Sequence, residues 1–209
     1  ERELENLDTR YVDEIWAPSE WAVEFVKSLT PARMHLNIRA VKNPVDSDNF
    51  VESGPVAPLA NHKKIPVSWI GRLENSQKNY LDFLRILKGL PGNYFGVVVF
   101  SLESSPDRLE RFLGEAAMLG VSDRIRLYSN VPQTEVAAIH RAVRDAGGVF
   151  LSTALSESFG YAVLEAALCG CPVVAYDVGP LRDHLSDKVH LVDVGDILNS
   201  KRIIQNISG

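Results

Sequence analysis

The sequence predicts an α/β fold in which helices flank a parallel sheet, and three observations carry that prediction. Short apolar runs are bounded by glycine, proline and acidic or amide residues, and longer segments of helical period alternate with them. The 209 residues, 45% of them apolar, can also bury one sizeable core, or one domain with an extra lobe.

The alternation is clearest from Val67–Gly71, a strand that leads into the polar loop Arg72–Gln77. A helix from about Lys78 to Lys88 follows, with Leu81, Leu84, Ile86 and Leu87 on its apolar side. Tyr94–Phe100 reads as the next strand and Pro106–Leu119 as the next helix. Arg124–Tyr128 is then a strand and Ser129–Pro132 a turn, before a helix at Gln133–Val143 whose Val136, Ile139, His140 and Val143 share a face. Val149–Ser152 is a fourth strand, Gly160–Cys169 a short helix stopped by Gly170 and Pro172, and Val173–Tyr176 a fifth strand. His190–Val194 closes the series.

Ahead of Val67 the pattern changes. Tyr11–Ala17 reads as a strand, Glu20–Leu29 as a helix and Ile38–Lys42 as a strand running into NPVDSDNF, whereas Val51–Lys64 has no period and reads as a loop or linker. The expected divisions are therefore 1–50, 51–64 and 65–209. There is no internal repeat and no low-complexity tract.

Bulk properties exclude several function classes. A formal net charge of −5 gives no general reason to expect nucleic-acid binding, although a local cationic cluster can still hold phosphate. The only cysteines, Cys169 and Cys171, flank Gly170 in an apolar stretch without CxxC or Cys/His metal spacing, so they read as small buried residues in a reducing compartment. No apolar run is long enough to cross a bilayer. The opening ERELENLDTRYVDE lacks the charge-then-apolar order of a secretion signal and an initiator methionine; it reads as an excised domain or an incomplete stretch of a longer chain, so the missing targeting segment says little about the parent protein.

Two constellations carry chemistry. Gly71-Arg72 lies at the carboxyl end of a strand, where ligands collect in open α/β sheets, and Lys78 follows six residues after Arg72. A planar guanidinium and a compact ammonium there can clamp a diphosphate and stabilise it as it departs. The plainer alternative is two solvated cations in a polar loop. The second constellation is Glu157–Glu165, ESFGYAVLE. Its small Gly160 near a helix N-terminus allows phosphate oxygens close to backbone amides, and Glu165, more than one turn further on, can accept hydrogen bonds from the paired hydroxyls of a ribose. Against this stand a helix-dipole role for Glu157, a solvent-facing Glu165, and a pair of hydrolase carboxylates.

The segment ESFGYAVLEAALCGCPVVA resembles the Glu-x7-Glu signature of retaining GT-B glycosyltransferases of family 4. GRLENSQKN at Gly71–Asn79 is similar to that family's arginine and lysine diphosphate motif, and NPVDSDNF at Asn43–Phe50 to its hinge, so the resemblance covers about Tyr11 to Val194. It implies a Rossmann-like sheet forming the C-terminal half of a GT-B fold, with 1–50 as the end of an N-terminal domain plus hinge. Arg72, Lys78 and the backbone of Phe159 and Gly160 would hold the donor diphosphate, Glu165 the ribose and Val131 the base, with Glu157 facing the transferred sugar. Glu157, Arg72 and Lys78 are thus the expected catalytic residues. Pro44 stands at the family's hinge glycine, Asn130 at a common glycine before the base contact, and Pro180 interrupts a Gly-Gly at Gly179, which bears on loop shape and donor preference.

The implied activity is transfer of a hexose from a nucleoside diphosphate sugar with retention, in the biosynthesis of a polysaccharide or glycoconjugate. The isolated fragment is expected to be inactive, because the acceptor, whether glycan, lipid or small molecule, would bind a missing N-terminal domain. The expected location is the cytoplasm, with contact at a membrane's cytoplasmic face left open for the full-length protein. No cofactor is expected. Asp46-Ser-Asp48 is an Asp-x-Asp pair, but it lies in the hinge-like segment, so donor binding is expected to be metal-independent. A sugar-nucleotide-binding module without activity, or a GT-B sugar-nucleotide epimerase, are the alternatives. A phosphorylase lacks its pyridoxal lysine motif here, and a dinucleotide dehydrogenase lacks its GxGxxG. His62 and His140 read as structural or solvated rather than catalytic.

Overall fold

The computed structural model describes residues 11–30, 37–59, 64–101, 106–184 and 188–209. His62 and residues 60–63 of the expected linker lie outside these.

Strands β1 (Ile15–Ala17) and β2 (Ile38–Ala40) pair in parallel, joined through helix α1 (Glu20–Leu29). Ser19 starts α1 by accepting the amide of Ala22 at 3.1 Å. The second, larger sheet contains β3 (Ile65–Ile70), β4 (Tyr94–Phe100), β5 (Ile125–Ser129), β6 (Val149–Ser152), β7 (Val173–Tyr176) and β8 (Val189–Val192), all parallel, in the order β5-β4-β3-β6-β7-β8. The connecting helices are α2 (Tyr80–Gly89), α3 (Pro106–Leu119), α4 (Gln133–Asp145) and α5 (Tyr161–Leu168), and α6 (Ile197–Ser208) follows β8.

The expected Rossmann-like sheet is therefore present, and its apolar runs are explained by burial on both faces: all seven residues of β4 and all four of β6 and of β7 are buried. Three details differ from expectation. The first strand is confined to Ile15–Ala17. Helix α2 starts at Tyr80 rather than Lys78, because Asn79 takes a left-handed φ of 50° and leaves Lys78 in the loop. Helix α6 was not anticipated; Asp196 caps it by accepting the Asn199 amide at 3.0 Å, and Ile204 is its fully buried anchor.

Residues 51–59 are irregular, as expected, yet firmly attached. Arg141 on α4 is itself buried and donates to the carbonyls of Asn49, Val51 and Pro55 at 3.2, 3.1 and 2.7 Å. Arg144 donates to the Glu52 and Cys169 carbonyls at 2.7 and 2.8 Å. This strap covers the outer side of α4, which is why Val136–Val143 are buried without interruption. Cys169 and Cys171 are free and buried, with burial pushing the Cys171 thiol up to about 12. Among the described residues, no helix is long and apolar enough to cross a membrane.

Candidate functional site

The strand order reverses between β3 and β6, since successive connections from β3 run towards β5 on one side and from β6 towards β8 on the other. At such a switch point the loops leaving the carboxyl ends diverge and open a crevice. A cleft of about 760 Å³ lies there, walled by the segments that leave β3, β4, β5 and β6. Arg72, Lys78, Val131, Glu157, Phe159, Gly160 and Glu165 all line it. Residues 93 positions apart in sequence, Arg72 and Glu165, are thus brought to one surface by the topology.

The β3–α2 wall is shaped by polar contacts. Lys78 Nζ donates to Glu157 Oε1 at 2.6 Å, joining the two walls across the cleft. Both side chains are largely withdrawn from solvent, at 22% and 12% exposure, so this pair is screened less than a surface salt bridge. Thr153, fully buried, holds the turn behind Lys78: its hydroxyl lies 2.8 Å from the Asn79 carbonyl and 3.2 Å from that of Lys78, while Trp69 Nε1 donates to it at 3.1 Å. Asp82 accepts from Asn79 Nδ2 at 2.8 Å and from the Tyr176 hydroxyl at 2.9 Å, so the left-handed residue is tied down as well. Arg72 is different. Its side chain is 57% exposed, hydrogen-bonded to Gln77 and 3.4 Å from Glu74.

The β6–α5 wall is shaped by close packing. Gly160 has φ +86°, a conformation that L side chains rarely adopt, and a Cβ there would lie 2.3 Å from Leu181 Cδ2. Gly160 also supplies no side-chain cap to α5, and Gly160, Tyr161 and Ala162 line the cleft at the helix N-terminus. Glu165 projects from the second turn of α5 into the same cleft. Burial, reinforced by the nearby Asp46 carboxylate, raises its pKa above the ordinary carboxylate value. It is therefore not a solvated helix residue.

Asn130, at the mouth of the β5–α4 loop, takes φ 51°. Asparagine is among the few residues that tolerate this region, so the loop takes a left-handed residue here without a glycine. Sequence reasoning did not single out Gln77, Ser101, Val136 or Tyr161 as cleft residues. Gln77 and Tyr161 sat inside the two motifs, and Val136 on a recognised helix, but only the fold shows which way each faces. Tyr161 also donates from its hydroxyl to the Pro44 carbonyl at 3.3 Å, connecting α5 to the hinge-like segment. His140 does not line the cleft: it is fully buried on α4, edge-on to Phe150 at 5.4 Å.

Residues 55–207 match the family model described as glycosyl transferases group 1. Among curated relatives, the chain is 31% identical over 139 residues to the 2-deoxystreptamine N-acetyl-D-glucosaminyltransferase of Streptomyces fradiae, covering 63% of this chain and 31% of that one. It is 43% identical over 84 residues to the D-inositol 3-phosphate glycosyltransferase of Frankia alni, covering 40% and 19%. Among solved structures, sucrose-phosphate synthase from Thermosynechococcus elongatus superposes with a TM-score of 0.78 at 19% identity, over 94% of this chain and 49% of that one. The Anabaena protein HepE in complex with UDP and glucose superposes with a TM-score of 0.75 at 18% identity, over 95% and 54%. The chain thus spans less than a third of these curated relatives and about half of these structures.

Proposed function

The chain belongs to the glycosyl transferases group 1 family, and on that premise we propose that it is the donor-binding, carboxyl-terminal part of a retaining family 4 hexosyltransferase that uses a nucleoside diphosphate sugar. The observation that carries this reading is the gathering of two cations, an uncapped helix N-terminus and two glutamates in one cleft at the sheet's switch point. In this reading residues 1–50 are the end of the acceptor domain and the hinge, and residues 65–209 form the donor domain.

Arg72 and Lys78 hold the diphosphate beside Phe159 and Gly160, where first-turn amides add partial positive charge. As the bond from the anomeric carbon to the diphosphate breaks, negative charge collects on the leaving group, and these cations stabilise it without a metal. The Lys78–Glu157 pair keeps the ammonium ordered before the donor arrives, and Glu157 then turns to the sugar. Glu165 accepts from the ribose hydroxyls, and the backbone of Val131 meets the base. That the HepE structures hold UDP or UDP-glucose supports this donor class. The cytoplasmic setting expected from the resemblance belongs to the same reading.

Titration calorimetry with UDP, GDP and ADP sugars tests the proposal. One of them should bind the wild type, and Arg72→Ala should weaken that binding by about tenfold or more, as loss of a charge-assisted hydrogen bond predicts. Unchanged binding in a folded Arg72→Ala protein overturns the site. A second reading, capture of a sugar nucleotide without transfer by these 209 residues alone, is favoured by their spanning only about half of the superposed structures. A transfer assay comparing these residues with a longer parent chain separates the two.

A further inference from the structure

The 3-10 turn Gly179–His184, between β7 and β8, lies outside the cleft lining but touches the cleft wall at two points. Gly179 has φ +57°, and a Cβ on it would stand 2.2 Å from the carbonyl oxygen of Glu157 and 3.2 Å from its carbonyl carbon. Two residues further on, the fully buried Leu181 occupies the space that a side chain at Gly160 would need, with Cδ2 2.3 Å from that position. One short turn therefore abuts both the first and last residues of the Glu157–Gly160 segment. The Glu157 side chain is in turn held by Lys78. The turn also packs against helix α1, which belongs with the two-stranded sheet.

From this arrangement we infer that Gly179 and Leu181 are positioning residues for the site: they set the height of the Glu157–Gly160 segment against Lys78 and relay to it the placement of α1. The inference rests on the donor-site reading for its functional meaning but on packing alone for its mechanics. The absence of a side chain at Gly179 allows the Glu157 backbone to sit against the turn. Leu181 then backs Gly160, filling the space a side chain there would take. Contact on both ends leaves the segment one height, and the carboxylate of Glu157 meets the Lys78 ammonium only there. Because α1 bears on the same turn, a shift of α1 moves the backstop of the segment rather than any group that would touch the ligand.

Three variants of the whole chain test this: Gly179→Ala, Leu181→Ala and the conservative Leu181→Met. Ile204→Ala, a comparable core truncation on α6, serves as the control. Hydrogen–deuterium exchange of the unliganded proteins gives the mechanical readout. Faster exchange is expected at residues 157–162 in Gly179→Ala and Leu181→Ala, whereas Ile204→Ala should raise exchange around α6 and leave this segment as in wild type. The functional readout is titration with the nucleoside diphosphate that wild type binds. A loss of about tenfold or more is expected in Leu181→Ala, with recovery in Leu181→Met and wild-type affinity in Ile204→Ala, since small misplacements of binding groups have effects of this size. If exchange at 157–162 is unchanged in folded Leu181→Ala and Gly179→Ala, or rises equally in Ile204→Ala, the positioning role is wrong whatever the ligand. If no nucleoside diphosphate binds wild type while the exchange pattern holds, the donor-site reading fails and the mechanical role stands.

Discussion

The two walls of the cleft reach the same Lys78–Glu157 contact by different means. On the β3–α2 side, Lys78 is set by a polar scaffold in which Thr153, Asn79, Asp82, Trp69 and Tyr176 exchange directional hydrogen bonds. On the β6–α5 side, Glu157 is set by atoms in close contact with glycines, with no slack for a methyl group. A hydrogen-bonded scaffold can lose one member and keep its geometry through the others, whereas a packed wall either fits or shifts as a unit. The wall closed by glycines is therefore the more brittle of the two.

Gly160→Ala should produce the largest effect. The new Cβ collides with Leu181, and the left-handed backbone adds about 1–2 kcal/mol of strain for any L residue. Nucleoside diphosphate affinity should fall by about 100-fold by titration, with a lowered Tm. A variant that binds as wild type would show that the packed wall has more slack than its distances indicate.

Acid breaks the comparison in another way, because both walls rise from β6 and its neighbours. His140 sits edge-on to Phe150 of β6, and among the described residues neither ring nitrogen has a hydrogen-bond partner. Burial first, and the adjacent Arg141 charge second, push its pKa down to about 3 from 6.5. The depressed value means that the folded protein holds the neutral ring while the unfolded chain takes up a proton. The stability linked to this group is thus fully present above pH 6.5 and drains away as the pH falls towards 3, by an amount on the order of several kcal/mol. His140→Leu should flatten the fall of Tm with pH across that window. An identical profile in wild type and His140→Leu would remove the histidine from the account.

The smallest effect is expected on the polar wall. Thr153→Val strands the Trp69 indole N–H and releases the Asn79 carbonyl, for a loss of about 1–3 kcal/mol in urea unfolding. Asp82 and Tyr176 still hold Asn79, so nucleoside diphosphate binding should stay within about threefold of wild type. A loss as great as that of Gly160→Ala would erase the distinction between the walls.

The larger sheet was legible because strands buried on both faces, such as Val97–Phe100, cannot alternate polar and apolar residues and so stand out as runs. Helix α6 was legible in principle: Asp196 precedes Ile197, Ile203, Ile204 and Ile207 at helical spacing, yet the run is short and broken by Asn199, Ser200 and Lys201. Arg72, Lys78, Val131, Glu157, Phe159, Gly160 and Glu165, part of the cleft lining, could be named from two motifs and a resemblance. Their supports could not. Gly179 faces the backbone of Glu157, and Thr153 faces that of Asn79, only because of how β3, β6 and β7 are ordered in the sheet, and no local pattern encodes that order. Nor did residue type distinguish Arg72, which is more than half exposed, from Lys78, which is mostly enclosed.

The strap formed by Arg141 and Arg144 has a consequence for how the chain can be cut. Residues 52–56 are irregular and exposed, the usual profile of a protease's preferred site. A protease must nevertheless draw several residues of extended backbone into its groove, and here the carbonyls of Asn49, Val51, Glu52 and Pro55 are already engaged by guanidinium groups. Solvent reaches this segment freely, but a digestive enzyme would first have to pry it from α4, so accessibility to water and susceptibility to cleavage part company there.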